Sequence, residues 1–156
     1  NRRLDTLQAA VLKEKLVHLS DWNAARRRHA ATYRERIHED AVTLPEAPVG
    51  DEHVYHLYVV RSQQRDELQA HLTSSGIATG IHYPIPIHLQ PAYKDLGYAK
   101  GAFPVTERLA AEILSLPMYP ELSPEQIDAV AVAVNAFQYG QRPVRRAAVV
   151  DTIAEC

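Results

Sequence analysis

The segment from Gly80 to Tyr93 reads G-I-H-Y-P-I-P-I-H-L-Q-P-A-Y, and its prolines restrict this part of the chain more than any other feature does. Each proline fixes its own φ angle and pushes the residue before it toward an extended conformation. This excludes a regular α-helix, and it disfavours a central β-strand because proline cannot donate a ladder hydrogen bond. The segment therefore predicts a stiff, extended loop. We expect this loop to fix the positions of three polar aromatic residues: His82, Tyr83 and His88.

The residues before this loop predict two helices, a linker and a strand. Apolar residues at helical spacing predict a helix over residues 4–19, and Ser20 and Asp21 predict a break with a new N-cap. The second helix is predicted to end near Ile37. The remaining predictions are a linker rich in Pro, Gly and acidic residues over 41–52, and a strand over 53–61.

Helices and strands are predicted to alternate over the rest of the chain. In chain order we expect a helix ending at Gly76, a strand at 77–81, a helix beginning at Pro104, a strand at 115–119 and a helix ending at Gly140. The last helix has the clearest start signal, because Ser123-Pro124-Glu125-Gln126 is a capping box with proline at the first helical position. This order predicts an α/β fold.

The length and composition are those of an ordinary globular domain, with 156 residues of which 46% are hydrophobic and 23% are charged. We predict a helical arm over residues 1–40, an α/β domain over 41–140, and a tail over 141–156 whose structure the sequence does not decide. The chain begins with Asn1 rather than Met and opens directly into a helix. We therefore expect it to be a piece of a longer protein.

Charge and cysteine content narrow the expected partners and compartment. The net charge of −2 offers no attraction for nucleic acid or an anionic membrane. No apolar run approaches the roughly 20 residues that a membrane-spanning helix needs. Cys156 is the single cysteine and cannot close an internal disulfide, which favours a reducing compartment such as the cytoplasm.

No segment of the chain forms a catalytic centre by itself. The eight histidines show no H-x-H or H-E-x-x-H spacing and the chain has no C-x-x-C, so we predict no metal site. There is no G-x-S-x-G motif and no glycine-rich phosphate loop. A reactive lysine needs desolvated, apolar surroundings. None of the lysines has them in sequence: Lys13, Lys15, Lys94 and Lys100.

The adjacent His82 and Tyr83 have two interpretations. Both rings can fill space where the loop crosses the domain, as large side chains often do. Alternatively, they can project from a strand end into a cleft as neutral hydrogen-bonding groups for a polar ligand. Local chemistry leaves both interpretations open.

Seven segments, in order and over about residues 1–138, together resemble one enzyme family. The start N-R-R-L-D-T-L-Q-A-A is similar to an N-x-R-L-D-x-L-Q-A-A segment, and the loop at 80–93 is similar to a signature of the same family. The other five segments are R-x-x-A-x-x-Y at 27–33, H-L-Y-V-V-R at 56–61, R-D-E-L at 65–68, F-P-V-T-E at 103–107 and L-S-L-P-M-Y-P at 114–120. The family is the pyridoxal-phosphate-dependent sugar aminotransferases of the DegT/DnrJ/EryC1/StrS type.

The resemblance implies the small α/β C-terminal domain of a fold-type-I aminotransferase, preceded by a long helical arm. In such enzymes a large N-terminal domain provides most of the binding site for pyridoxal phosphate and holds the cofactor through a lysine Schiff base. That lysine has no counterpart here, so we expect no catalytic residue in this chain and no activity from it alone. The resemblance also implies that Asn1 contacts the cofactor phosphate across a dimer interface.

The resemblance places His82 and Tyr83 at the substrate cleft. It also implies a substrate contact for His88, which lies in the same loop. Glu107 also matches a recurrent family position, but the helix dipole explains an acid in a first helical turn, so we leave it out of the site. The implied reaction moves an amino group, with glutamate as the expected donor, to a keto-sugar nucleotide, in a homodimer with shared active sites.

Three alternatives to this reaction stay open. The enzyme could act on a keto-cyclitol, or it could be a lysine-less dehydratase that uses the same cofactor. The chain could also be a stand-alone, non-catalytic binding or dimerisation module. The sequence fixes neither the sugar nor the carbon that is aminated.

Overall fold

The computed structural model describes residues 4–46 and 53–137. Three of the predictions lie outside the described residues. They are the cofactor contact of Asn1, the helix end at Gly140, and the tail at 141–156.

Two consecutive helices open the described chain. Helix α1 spans Thr6–Leu16 and begins where the Asp5 side chain accepts a hydrogen bond from the Leu7 N–H at 2.8 Å. Helix α2 spans Leu19–Arg36. The predicted break at Ser20 and Asp21 is wrong, because both residues lie in the first turn of α2. An acid in a first turn favours the helix, so Asp21 supports α2 from within rather than capping it.

The described sheet has two strands, β1 (Tyr58–Arg61) and β2 (Ile113–Leu116), which pair antiparallel with Tyr58 opposite Leu116. The predicted strand at 53–61 is too long, because Tyr55 has a φ of 48° and interrupts the extended backbone. The predicted strand at 115–119 begins two residues later than β2 and continues three residues past its end. The strand ends at Leu116 because Pro117 has no N–H with which to continue the ladder.

The predicted strand at 77–81 is reduced to a single bridge between Gly80 and Ser115, on the side of β2 away from β1. The reason lies at its start. Helix α3 (Arg65–Ser74) is followed by Gly76 with a φ of 77°, and the Ile77 N–H bonds back to the Leu72 carbonyl oxygen at 2.9 Å. Ile77 therefore completes the helix end, as in a Schellman-type cap, and cannot begin a strand.

The proline signals for the last two helices are confirmed. Helix α4 (Pro104–Glu112) and helix α5 (Pro124–Ala136) each begin with proline at a first-turn position. In α5 the Ser123 hydroxyl accepts from the Gln126 N–H, and the Gln126 side chain accepts from the Ser123 N–H, which is the predicted capping box. Helix α5 ends at Ala136, where Phe137 is extended.

The predicted extended loop is only partly extended. Two 3₁₀ helices form within it, at Ile87–Leu89 and Pro91–Leu96. Proline is compatible with the first position of such a turn, because its fixed φ is helical and its missing N–H is not needed there. The exclusion of a regular α-helix is confirmed, but the second half of the segment is coiled rather than extended.

One hydrophobic core joins α2, α3, the sheet and α5. Its largest fully buried side chains are Tyr33, Tyr58, Leu68, Leu72, Leu114, Val60, Val130 and Val134. Burial of each contributes roughly 1.5–3 kcal/mol. Helix α1 contributes no buried residue. Because Tyr33 of α2 lies in this core, α2 packs with the α/β unit, whereas the predicted boundary at residues 40 and 41 stays a prediction.

Candidate functional site

A cavity of about 420 Å³ lies where α2, the end of β2 and the Gly80 bridge meet. Its polar lining includes Arg26 on α2, His56 before β1, His82 after Gly80, and Ser115 on β2. The Leu116–Tyr119 segment closes another part of the wall. A concave site with a few converging polar groups is the kind of place where a polar small molecule binds.

Helix α2 fixes the segment 117–120, whose first three residues line the cavity. Arg26 donates from Nη1 to the Met118 carbonyl oxygen at 2.8 Å, and the Tyr33 hydroxyl donates to the Pro117 carbonyl oxygen at 2.9 Å. His29 Nε2 lies 3.0 Å from the carbonyl oxygen of Pro120. Because a carbonyl oxygen can only accept, Nε2 is the donor in this contact.

One of these three donors is the Tyr33 hydroxyl, which must be protonated to donate. Burial, together with neighbouring tyrosines, raises the pKa of Tyr33, so its hydroxyl keeps its proton. One helix face therefore satisfies the carbonyls of an irregular segment and holds its shape.

His82 is the predicted site residue that reaches the cavity. Its Nδ1 lies 2.8 Å from the Ser115 hydroxyl oxygen. The ring Nε2 makes no hydrogen bond to the described residues and is the nitrogen left for a ligand. His82 thus combines a fixed ring with an open polar atom at the cavity wall.

Tyr83 follows His82 but points away from the described protein surface. Its side chain is 83% exposed and it does not line the cavity. Its φ of 61° places it in the left-handed region, which non-glycine residues seldom adopt and which costs free energy. Strain of this kind is concentrated at functional sites, so the backbone geometry is compatible with a ligand-binding role for Tyr83.

His88 lies elsewhere in the loop and is already engaged. It is 9% exposed, and its Nε2 lies 3.0 Å from Oε1 of Glu107. The ring of His88 also contacts that of Phe103 edge-on. The structure therefore does not bring His88 to the cavity with His82, and its role as a substrate contact stays a prediction.

Glu107 is the residue that holds this part of the loop. Its carboxylate accepts hydrogen bonds from the Gly101 N–H at 2.8 and 2.9 Å and from the Phe103 N–H at 3.4 Å, besides the contact with His88. Desolvation acts to raise the pKa of Glu107, but the hydrogen bonds from Gly101, His88 and Phe103 outweigh it and lower the pKa below its ordinary value of 4.5. The helix dipole alone is therefore an incomplete explanation of this acid.

The described residues do not fit the role of binding pyridoxal phosphate covalently. All four lysines are exposed, two on α1, one in the second 3₁₀ helix and one after it, and none lines the cavity. A Schiff-base lysine requires a desolvated position that none of them occupies. Within residues 4–46 and 53–137, no group of three or more His, Cys, Asp or Glu side chains could hold a metal ion. No helix among these residues is long and apolar enough to cross a membrane.

Ser115 and Arg26 are among the lining residues that sequence reasoning missed. Ser115 lies in the L-S-L-P-M-Y-P segment, so a signal was present, but its hydrogen-bond partner is 33 residues away in the chain. Arg26 looks like one of several arginines on a solvated helix face. Only the fold shows that its guanidinium turns inward to the cavity wall.

Comparison with known proteins gives relatives over most of the chain. The chain is 51% identical over 137 residues to the erythromycin biosynthesis sensory transduction protein EryC1 of Saccharopolyspora erythraea, a match that covers 87% of this chain and 37% of that protein. It is 43% identical over 139 residues to the dTDP-3-amino-3,6-dideoxy-alpha-D-galactopyranose transaminase of Aneurinibacillus thermoaerophilus, covering 89% of this chain and 38% of the relative.

A solved structure shares the fold. The crystal structure of DesV from S. venezuelae in complex with a ketimine intermediate matches with a TM-score of 0.80 and 42% identity, covering 85% of this chain and 36% of that one. The chain thus spans about 37% of the length of the curated relatives it matches. The sequence model of the DegT/DnrJ/EryC1/StrS aminotransferase family matches residues 1–135. With nearly the whole chain matched and the same fold found in an enzyme of known structure, this chain belongs to the DegT/DnrJ/EryC1/StrS aminotransferase family.

Proposed function

We propose that this chain is the small-domain part of an aminotransferase that uses pyridoxal phosphate to move an amino group onto a keto-sugar nucleotide. Glutamate is the expected amino donor. Family membership supports the reaction class, and relatives whose names specify dTDP- and UDP-linked amino sugars support the substrate class. The reaction, the donor and the substrate belong to the complete protein, of which the matched relatives are the template.

The observation that carries the proposal is the position of His82. It stands on the wall of a cavity and is hydrogen-bonded through Nδ1 to Ser115, and its Nε2 has no hydrogen-bond partner among the described residues. Tyr83 projects from the next position with an exposed hydroxyl. Together the two residues offer neutral hydrogen-bonding groups suited to the hydroxyl and carbonyl oxygens of a sugar.

The described residues orient substrate and do not carry the chemistry. Pyridoxal phosphate supplies the electron sink for amino transfer when it is bound. No described lysine can hold it, so its main binding groups are proposed to lie outside the described residues, with Asn1 contacting its phosphate across a dimer interface. We propose no catalytic residue among the described residues.

A homodimer with shared active sites is part of the proposal. Helix α1 and the residues just before it expose a row of apolar side chains: Leu4, Leu7, Val11, Leu12 and Leu16. Apolar surface of this extent on a single helix is typical of a surface that another domain or subunit covers. The proposed organisation is an arm at 1–40, a small domain at 41–140 and a tail at 141–156.

The proposal is tested by assaying the complete protein, loaded with pyridoxal phosphate, with glutamate and a set of dTDP- and UDP-linked keto-sugars. We expect an amino-sugar nucleotide detectable by mass spectrometry, together with 2-oxoglutarate. The 156-residue chain alone, treated identically, should show no turnover. Formation of a dehydrated sugar with no amino transfer would contradict the transaminase assignment, and turnover by the 156-residue chain alone would contradict the division of labour proposed here.

A further inference from the structure

The hydroxyl of Ser115 is buried beside the cavity and has one hydrogen-bonding neighbour in the described part of the chain. Ser115 is 5% exposed, and its Oγ lies 2.8 Å from His82 Nδ1. Its backbone groups are already paired with Gly80, at 2.7 Å from the Ser115 N–H and at 3.1 Å to its carbonyl oxygen. The side chain of Ser115 is therefore the group that is left to interact with His82.

The burial of this hydroxyl decides the direction of the hydrogen bond. A neutral imidazole has one nitrogen that donates and one that accepts, whereas a hydroxyl can do both. If Nδ1 donated to Oγ, the hydroxyl proton would have no acceptor among the described residues, and an unsatisfied buried donor is costly. If the hydroxyl donates to Nδ1, both groups are satisfied. Neutral His82 then carries its proton on Nε2.

Gly80 lies against the same ring. A Cβ atom at Gly80 would lie 2.9 Å from Cε1 and 3.3 Å from Nδ1 of His82, closer than such contacts normally come. Only glycine therefore allows the imidazole to lie this close to the backbone of the bridge. Ser115 and Gly80 are paired in a β-bridge, so together they fix the position of the imidazole ring. We call these two residues the seat of His82.

We propose that Ser115 is a positioning residue that holds His82 in the tautomer with the proton on Nε2. His82 then presents a hydrogen-bond donor to the cavity, and the ligand atom that it takes is an oxygen acceptor such as a sugar hydroxyl, a carbonyl or a carboxylate oxygen. The tautomer follows from the contacts of Ser115 alone. Its use in substrate binding rests on the proposed function.

The tautomer is tested directly in the full 156-residue chain. The ¹⁵N chemical shifts of the His82 ring, assigned by comparison with His82→Phe, should show an unprotonated Nδ1 and a protonated Nε2 at alkaline pH. Ser115→Ala should weaken this preference, and Ser115→Thr, which keeps a hydroxyl, should restore it. A protonated Nδ1 in the unmodified chain, or identical shifts in Ser115→Ala, would overturn the proposal.

The functional consequence is tested by a double-mutant cycle in the complete enzyme. Loss of the orienting bond should lower kcat/KM of Ser115→Ala by about threefold to tenfold. His82→Phe should lower it at least as much, and the double variant should be no worse than His82→Phe alone, because Ser115 acts through His82. Additive losses would show that Ser115 acts on its own and would overturn the positioning role.

Two further variants keep the test decisive. Ser62→Ala is the matched control, since Ser62 is also buried and its hydroxyl accepts from the Gln64 N–H at 3.1 Å, but it does not line the cavity. It should lower the melting temperature and leave kcat/KM unchanged. If Ser115→Ala fails to fold, Gly80→Ala replaces it, because the added methyl displaces the ring from its seat while both polar partners stay.

The failure of the proposed function is distinguishable from the failure of this inference. If His82→Phe leaves kcat/KM unchanged, His82 does not bind substrate, and the proposed use of the donor is wrong whatever the ring shifts show. If His82→Phe is costly but Ser115→Ala and Gly80→Ala are both silent, His82 binds substrate without the seat. That second result would overturn the inference and leave the proposed function intact.

Discussion

The core and helix α1 are both rich in leucine, but they bury it to opposite degrees. Leu68 of α3 and Leu114 of β2 are fully buried, whereas Leu7 and Leu16 of α1 are 74% and 66% exposed. His82 and Tyr83 are both exposed and differ in another way, because the His82 ring is hydrogen-bonded to Ser115 whereas the Tyr83 side chain makes no hydrogen bond to the described residues. The α/β unit buries its core leucines within this chain, whereas α1 and Tyr83 leave apolar and aromatic surface exposed. Stability and binding should therefore respond to different residues.

The largest expected difference is between leucines of the two regions. Leu68→Ala removes a fully buried side chain and should lower the free energy of unfolding by about 2–5 kcal/mol. Leu7→Ala, at an exposed position, should change it by no more than about 0.5 kcal/mol. Urea unfolding of both variants measures the difference. Equal losses would show that α1 is covered within this chain and would break the comparison.

Two tyrosines sharpen the comparison inside the core. Tyr33→Phe removes the hydrogen bond to the Pro117 carbonyl oxygen and should cost about 1–3 kcal/mol, because that carbonyl loses its partner. The hydroxyl of Tyr58 is buried without a hydrogen-bond partner among the described residues, so Tyr58→Phe should be neutral or stabilising. The same urea unfolding measurement separates them. A larger loss for Tyr58→Phe would mean that its hydroxyl has a partner in solution.

The exposed row on α1 should cause association. The pair of changes Leu7→Gln and Leu16→Gln should weaken self-association of the chain by roughly tenfold, about 1.4 kcal/mol, because each replaces exposed apolar surface with an amide. Sedimentation equilibrium measures the dissociation constant. Glu14→Gln on the same helix is the control and should leave it unchanged. A chain that is monomeric before any substitution would refute this use of α1.

The carboxylate of Glu107 should protect the Gly101 and Phe103 amides from hydrogen exchange, and this protection should depend on pH. Because its folded pKa lies below the ordinary value of 4.5, its contribution is present above that pH and is lost as the pH falls through the lowered value. Glu107→Gln should accelerate hydrogen exchange of the Gly101 and Phe103 amides at neutral pH. Glu67→Gln, at an acid in the first turn of α3, is the control, because it removes a first-turn charge without touching the loop, and it should leave the two loop amides unchanged. Unchanged exchange of both amides in Glu107→Gln would contradict this role of its carboxylate.

Local rules predicted the parts of the fold that depend on neighbouring residues. Pro104 and the capping box at Ser123 give the starts of α4 and α5 because their chemistry lies within one turn. The predicted strand limits were wrong where the backbone conformation does not follow from the pattern of side chains. The left-handed Tyr55 and the Ile77 N–H bonded to Leu72 are two such positions.

The candidate site was predictable to a similar degree. His82 and Tyr83 stand out from the sequence because prolines follow them closely. The contacts that distinguish His82 from His88 come from distant segments, since Ser115 on β2 contacts His82 and Glu107 on α4 contacts His88. The sequence could therefore nominate residues, whereas the hydrogen-bond partners had to come from the fold.

The most direct test of the central claim measures kcat/KM and melting temperature together for Tyr83→Phe and His82→Phe in the complete enzyme. If the two side chains bind substrate, Tyr83→Phe should lower kcat/KM by a free energy of about 0.5–1.5 kcal/mol at an unchanged melting temperature, because its hydroxyl is exposed. His82→Phe should lower kcat/KM by at least as much and also lower the melting temperature, since the Ser115 hydroxyl loses its partner. Unchanged kcat/KM in both variants, with any cost confined to melting temperature, would contradict the proposed site.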